Sequence, residues 1–215
     1  MQRKPVLGDL EEVFQRQLLR LRWDVLLSQR CDTSRERERK ISFAVINMQN
    51  AWTNFVRAFY LSCVFGARTK SAVRVRPSSV FPDANAAIGF AIRLFRPYAS
   101  PNTFGQWHRR DEPVWHDPAT LLRLSTNLGL QNDGKIQAAF SLNLYVFSDL
   151  PVVRNFFAHR NQSTEQAAQM ASQHYGIISS LRPSRMLAAN PLRRPQSLML
   201  EWLDELRITA DFLCD

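Results

Sequence analysis

Residues 34–67, SRERERKISFAVINMQNAWTNFVRAFYLSCVFGA, carry one continuous pattern. Apolar side chains recur at Met48, Trp52, Phe55, Phe59 and Cys63, three or four positions apart. That spacing follows one face of an α-helix and does not suit a strand. The segment is expected to be the longest helix of the chain. Thr33 or Ser34 is its cap, and the mixed-charge run RERERK forms a solvated first turn or two. At this spacing the aromatics read as core rather than as a platform for stacked bases. Arg57 stands among them, either snorkelling to the surface or backing a phosphate site.

The same period recurs on both sides. Leu7 to Gln29 places Leu7, Leu10, Phe14, Leu18, Leu21 and Val25 on one stripe, with Asp9, Glu11 and Glu12 near the positive end of the helix. Residues 68–79 are basic, polar and closed by proline, which reads as a loop with a possible short strand at VRV. Asp83 should cap a helix over ANAAIGFAIRLF, which ends before Pro97. The stretch YASPNTFGQWHRRDEPVW reads as a long surface connection. Asp117-Pro118 starts a further helix that stops at Gly129. KIQAAFSLNLYVFS is expected to be a central buried helix. Ser148 or Asp149 should then cap a helix running to about Leu181, with Pro151 in its first turn. SLMLEWLDELRITADFL closes the chain as an amphipathic helix. No repeat and no strong strand alternation appears, so the fold class is all-α: a single domain over 1–215, with a possible loop insertion at 68–116.

A chain of 215 residues with 45% hydrophobic content can bury a core of its own. No apolar run approaches the ~20 residues needed to cross a bilayer, and the charged N-terminus does not read as a signal peptide. A cytoplasmic protein without membrane contact is the expectation. Cys31, Cys63 and Cys214 form no CxxC pair, which argues against a zinc site or a disulfide framework. Net charge is +9, and of the 28 basic residues only Lys4, Lys40, Lys70 and Lys135 are lysine. The remainder are arginine, whose planar fork suits phosphate recognition, and the excess charge points to a polyanion.

Chemistry concentrates in Asp149–Asn161, DLPVVRNFFAHRN. Arg154 can hold a phosphate with several donors, and His159 is the residue type best suited to proton transfer near neutral pH. Phe156 and Phe157 should seat the turn against a core. A second pairing, Arg109 or Arg110 with His116, contains Pro113 and lies in the long connection, where nothing rigid would fix it. In a straight helix residues five apart point roughly 140° away from one another, whereas Asn155 and His159, four apart, share a face. Arg154 joins them from a frayed turn, by curling its long side chain, or from a second subunit across a two-fold axis. The dimer is preferred, because it doubles the arginines around one phosphate.

These residues support a reaction without metal or cofactor. His159 removes the proton from a ribose 2′-hydroxyl, which attacks the adjacent phosphorus; such assistance is worth roughly 10²–10⁴ in rate. Arg154 stabilises charge on the phosphorane oxygens. Asn155 orients the imidazole or donates to a phosphate oxygen, and Arg160 and Asn161 help to bind the RNA backbone. The products would carry 2′,3′-cyclic phosphates, and DNA would not be cut.

The motif RNFFAH in a helical chain resembles the HEPN superfamily of nucleases, whose signature is an arginine, a polar residue, a short spacer and a histidine. Arg154, Asn155 and His159 match it position by position. The resemblance implies an up-and-down helical bundle, a homodimer with a composite active site, and metal-independent endoribonuclease activity. It also implies a toxin–antitoxin or antiviral abortive-infection setting, with an antitoxin or defence-system protein as partner. One branch carries a tyrosine two residues after the histidine; this chain has Asn161 there. The competing expectations are a non-catalytic helical interaction module and a basic nucleic-acid-binding subunit. Metal-dependent hydrolysis is disfavoured, since neither HExxH nor clustered Asp, Glu and His appears.

Overall fold

Apolar residues at helical spacing are removed from water by packing helices on one another. The structure, a computed structural model, describes residues 5–215 and is all-α, with no β-strand among the described residues. Its helices are α1 (Leu7–Ser28), α2 (Ser34–Val64), α3 (Ala84–Phe95), α4 (Pro118–Leu128), α5 (Asp133–Ser141), α6 (Val146–His159), α7 (Gln162–Ala171), α8 (Pro183–Ala188) and α9 (Leu198–Cys214). Short 3-10 turns occur at Arg109–Asp111 and Ser172–Tyr175. No single helix among the described residues is long and apolar enough to cross a membrane.

Local chemistry sets many of the boundaries. Thr33 Oγ1 accepts from the Glu36 amide at 3.2 Å at the start of α2, which at 31 residues is the longest helix described. Met48, Trp52, Phe55, Phe59 and Cys63 are all buried, as their spacing requires. Asp83 caps α3 by accepting from Ala86 N, and Asp117 caps α4 by accepting from Ala119 N. Gly129 ends α4 in the left-handed region at φ 55°, where an L side chain would be strained. The VRV segment makes one isolated bridge, Arg74 with Arg68, which is itself bridged to Val6, and forms no strand.

Contacts divide the chain into two compact units. The first comprises the segment ending at Glu12, Thr53–Leu142 and Asp211–Asp215. Its core gathers Phe59, Ile92, Leu121, Leu124 and Ile136, all nearly inaccessible to solvent. Arg57 neither snorkels nor faces a vacant phosphate site. Its Nε and Nη2 donate to the two Glu112 oxygens at 2.6 and 2.9 Å, and Trp115 Nε1 donates to the same carboxylate at 2.7 Å. The second unit comprises Val13–Trp52 and Asn143–Ala210. Phe14, Trp52 and Phe147 form an aromatic row there, with ring centroids 5.9 and 5.2 Å apart, and Trp202 is fully buried. Cys31, Cys63 and Cys214 are free and buried, and burial pushes the Cys63 thiol up to about 12.

Two sequence expectations around the motif are corrected. The segment read as one buried helix over KIQAAFSLNLYVFS is interrupted: α5 ends at Ser141, Asn143 adopts φ 47°, and α6 begins at Val146. Ser148 and Asp149 therefore lie inside α6 rather than capping it, and Pro151 falls past the first turn. The helix expected to reach Leu181 ends at His159. Arg160 turns left-handed at φ 47°, and Asn161 opens α7 with a capping box. Asn161 Oδ1 accepts from Thr164 N at 2.9 Å, while Thr164 Oγ1 accepts from Asn161 N at 3.3 Å. The two-residue connection folds α7 back along α6 as a helical hairpin.

Candidate functional site

The motif occupies the C-terminal half of α6. Leu150, Val153, Phe156 and Phe157 of this helix are buried and hold it in the second unit. Asn155 and His159 are exposed and Arg154 is half-buried. No hydrogen bond or ion pair among the described residues engages their side chains. Asn155 and His159 share the outer face of α6, while Arg154 emerges roughly 140° round the helix from His159. One chain thus presents a histidine and an amide together, with the arginine to one side.

The following two residues have structural engagements. Arg160 Nη1 donates to Glu38 Oε1 at 2.8 Å. The Asn161 side chain is occupied by the cap of α7. The alternative pairing is dispersed: Arg109 donates to Asn54 Oδ1 at 2.7 Å from its 3-10 turn, and Pro113 separates that turn from His116.

Sequence reasoning missed a second polar centre at the other end of the α6–α7 hairpin. The Asp149 carboxylate, 5% exposed, takes a hydrogen bond from His174 Nδ1 at 2.8 Å. Ser148 Oγ donates to the other Asp149 oxygen at 3.1 Å. The Tyr145 ring stacks on the imidazole at 4.2 Å with an 8° tilt. Beside them Trp202 Nε1 donates to Tyr175 OH at 2.9 Å, and burial, reinforced by the Asp149 charge, raises the Tyr175 phenol well above its usual range. Glu205 is pushed up to about 7, first by burial and then by Glu201, and its Oε2 has no hydrogen-bond partner. The one sequence signal for this centre is the capping pair Asn161/Thr164, which marks the reversal that returns His174 to Asp149.

The two centres cannot serve one phosphodiester within a chain. Asp149 and His159 are ten residues apart on α6, a rise of about 15 Å. Among the described residues no group of three or more His, Cys, Asp or Glu side chains converges as a metal site would require. Compared with protein-family models, curated proteins and solved structures, the chain gives no match.

Proposed function

We propose that the protein is a metal-independent endoribonuclease of HEPN-like architecture, acting in the cytoplasm as a toxin or antiviral effector. The observation that carries this reading is the state of Arg154, Asn155 and His159. They stand on a helix anchored by buried aromatics, solvent-accessible and committed to no partner among the described residues. By contrast, Arg57 and Asp149, which lie deeper in the fold, spend their side chains on partners within it.

In the proposed reaction His159 takes the 2′-hydroxyl proton of the ribose. The freed oxygen attacks the adjacent phosphorus, and the 5′-oxygen of the next nucleotide leaves. Arg154 stabilises charge on the non-bridging oxygens. Since Arg154 and His159 diverge on one helix, the complete constellation draws its arginine from the motif helix of a second copy. The chain therefore acts as a homodimer with a composite site, whose in vivo restraint falls to an antitoxin or defence-system partner.

The test is product chemistry. RNA incubated with the purified protein in EDTA should yield fragments ending in 2′,3′-cyclic phosphate. A substrate with 2′-deoxyribose at the cleaved position should stay intact. Cleavage of that deoxy substrate, or dependence on added divalent metal, would remove the 2′-hydroxyl mechanism.

A further inference from the structure

The charged run that opens α2 faces a cavity. One side of Ser34–Ile41 and the segment running into α8 border a solvent-open cavity of about 770 Å³ in the second unit, a volume suited to an organic ligand. Three arginines line it: Arg37 from α2, and Arg182 and Arg185 from the start of α8. Pro183 holds Arg182 in an extended conformation (φ −57°, ψ 144°). All three arginines are exposed, and the Arg182 and Arg185 side chains engage no partner among the described residues. Arg37 spends one nitrogen on the Cys31 carbonyl at 3.2 Å and keeps the remainder of its fork. Ser34 and Ser184 add hydroxyls to the wall. Glu38 is the one carboxylate in the lining, and it is neutralised by Arg160 at 2.8 Å.

That last pair connects the cavity to the motif. Arg160 directly follows His159, so the wall of the cavity is tied to the end of α6 where the candidate base stands. Guanidinium forks and hydroxyls without opposing negative charge suit the oxygens of a phosphodiester chain. We propose that this arginine-lined cavity holds the sugar–phosphate backbone of a single-stranded RNA next to the scissile position. The inference rests on the nuclease reading for the identity of the polyanion. The contacts are to backbone rather than base edges, so the cavity confers affinity and register with little sequence preference.

Binding of a fluorescent 2′-O-methyl RNA oligonucleotide, which lacks the attacking hydroxyl, to the full-length protein tests this by anisotropy across a salt series. Arg182→Ala/Arg185→Ala should weaken binding at least tenfold. It should also flatten the dependence of log K on log salt by about 1.4, two contacts at ~0.7 each for a single strand. Arg20→Ala/Arg193→Ala, which removes the same charge elsewhere, should stay within about twofold of wild type, and Arg182→Lys/Arg185→Lys should retain most of the affinity. Melting curves verify that the variants fold. Wild-type affinity in the alanine pair overturns the cavity assignment, even if His159→Ala has abolished cleavage. Equal or tighter binding of polyglutamate of matched charge overturns RNA as the ligand in favour of an acidic polypeptide. Arginine-dependent RNA binding by a protein that cuts nothing supports the cavity while removing the nuclease.

Discussion

His159 and His174 are placed for different work, and substitution should separate them. His159 is exposed and holds no partner among the described residues, so His159→Ala should change unfolding free energy by less than about 0.5 kcal/mol. If it is the base, the same change should lower RNA cleavage by roughly 10²–10⁴. His174 satisfies a buried carboxylate; its loss leaves Asp149 with less of its hydrogen bonding and should destabilise by roughly 1–3 kcal/mol in urea melts. Cleavage per folded molecule should persist in His174→Ala. Glu205 offers a pH test. Its folded-state value lies near 7 because of burial, above the ordinary 4.5, so the folded protein binds the extra proton between those limits. Stability should therefore fall as pH rises through that window, and Glu205→Gln should remove the loss. The variant should gain about 1–2 kcal/mol at pH 8, discounted for partial exposure, and nothing at pH 4. Equal pH dependence in both proteins would contradict the burial of this carboxyl.

At the scale of elements, the ends of α3 and α4 were legible in Asp83, Asp117-Pro118 and Gly129, and the interruptions near the motif were not. Asp83, Asp117-Pro118 and Gly129 act through their own backbone geometry, which a sequence shows directly. The break after His159 contains neither glycine nor proline. Arg160 adopts a left-handed conformation that its side chain does not favour, and Asn161 with Thr164 supplies the compensating cap. Reading 149–181 as one rod would set Asp149 and His174 about 37 Å apart. The reversal brings them to 2.8 Å, a proximity that the spacing along the chain does not convey. That Arg154, Asn155 and His159 share one helix was legible, because they follow one another closely in the chain with no breaker between them. Asn161→Ala should cost about 1 kcal/mol through the lost cap, read by thermal or urea unfolding. An unchanged midpoint would mean that α7 does not depend on this cap.

The whole molecule carries a net charge of +9, supplied mainly by arginine, a composition that attracts any polyanion. Charge alone does not cut RNA. Arg154 and His159 of one chain diverge around α6, so the proposed site needs a second copy to bring them together. A composite dimer predicts complementation between inactive chains. Arg154→Ala and His159→Ala proteins, each inactive alone, should regain a fraction of wild-type cleavage when mixed and allowed to exchange subunits. Persistent inactivity of the mixture, with exchange verified by mass, would place the arginine and histidine of each site on the same chain.

The most direct test of the central claim compares wild type and His159→Ala on total cellular RNA with EDTA present throughout. The wild type should cleave and the variant at least a hundredfold less, with matching melting temperatures. Equal cleavage by both proteins would contradict the claim, because the proton would then be removed by a group other than His159.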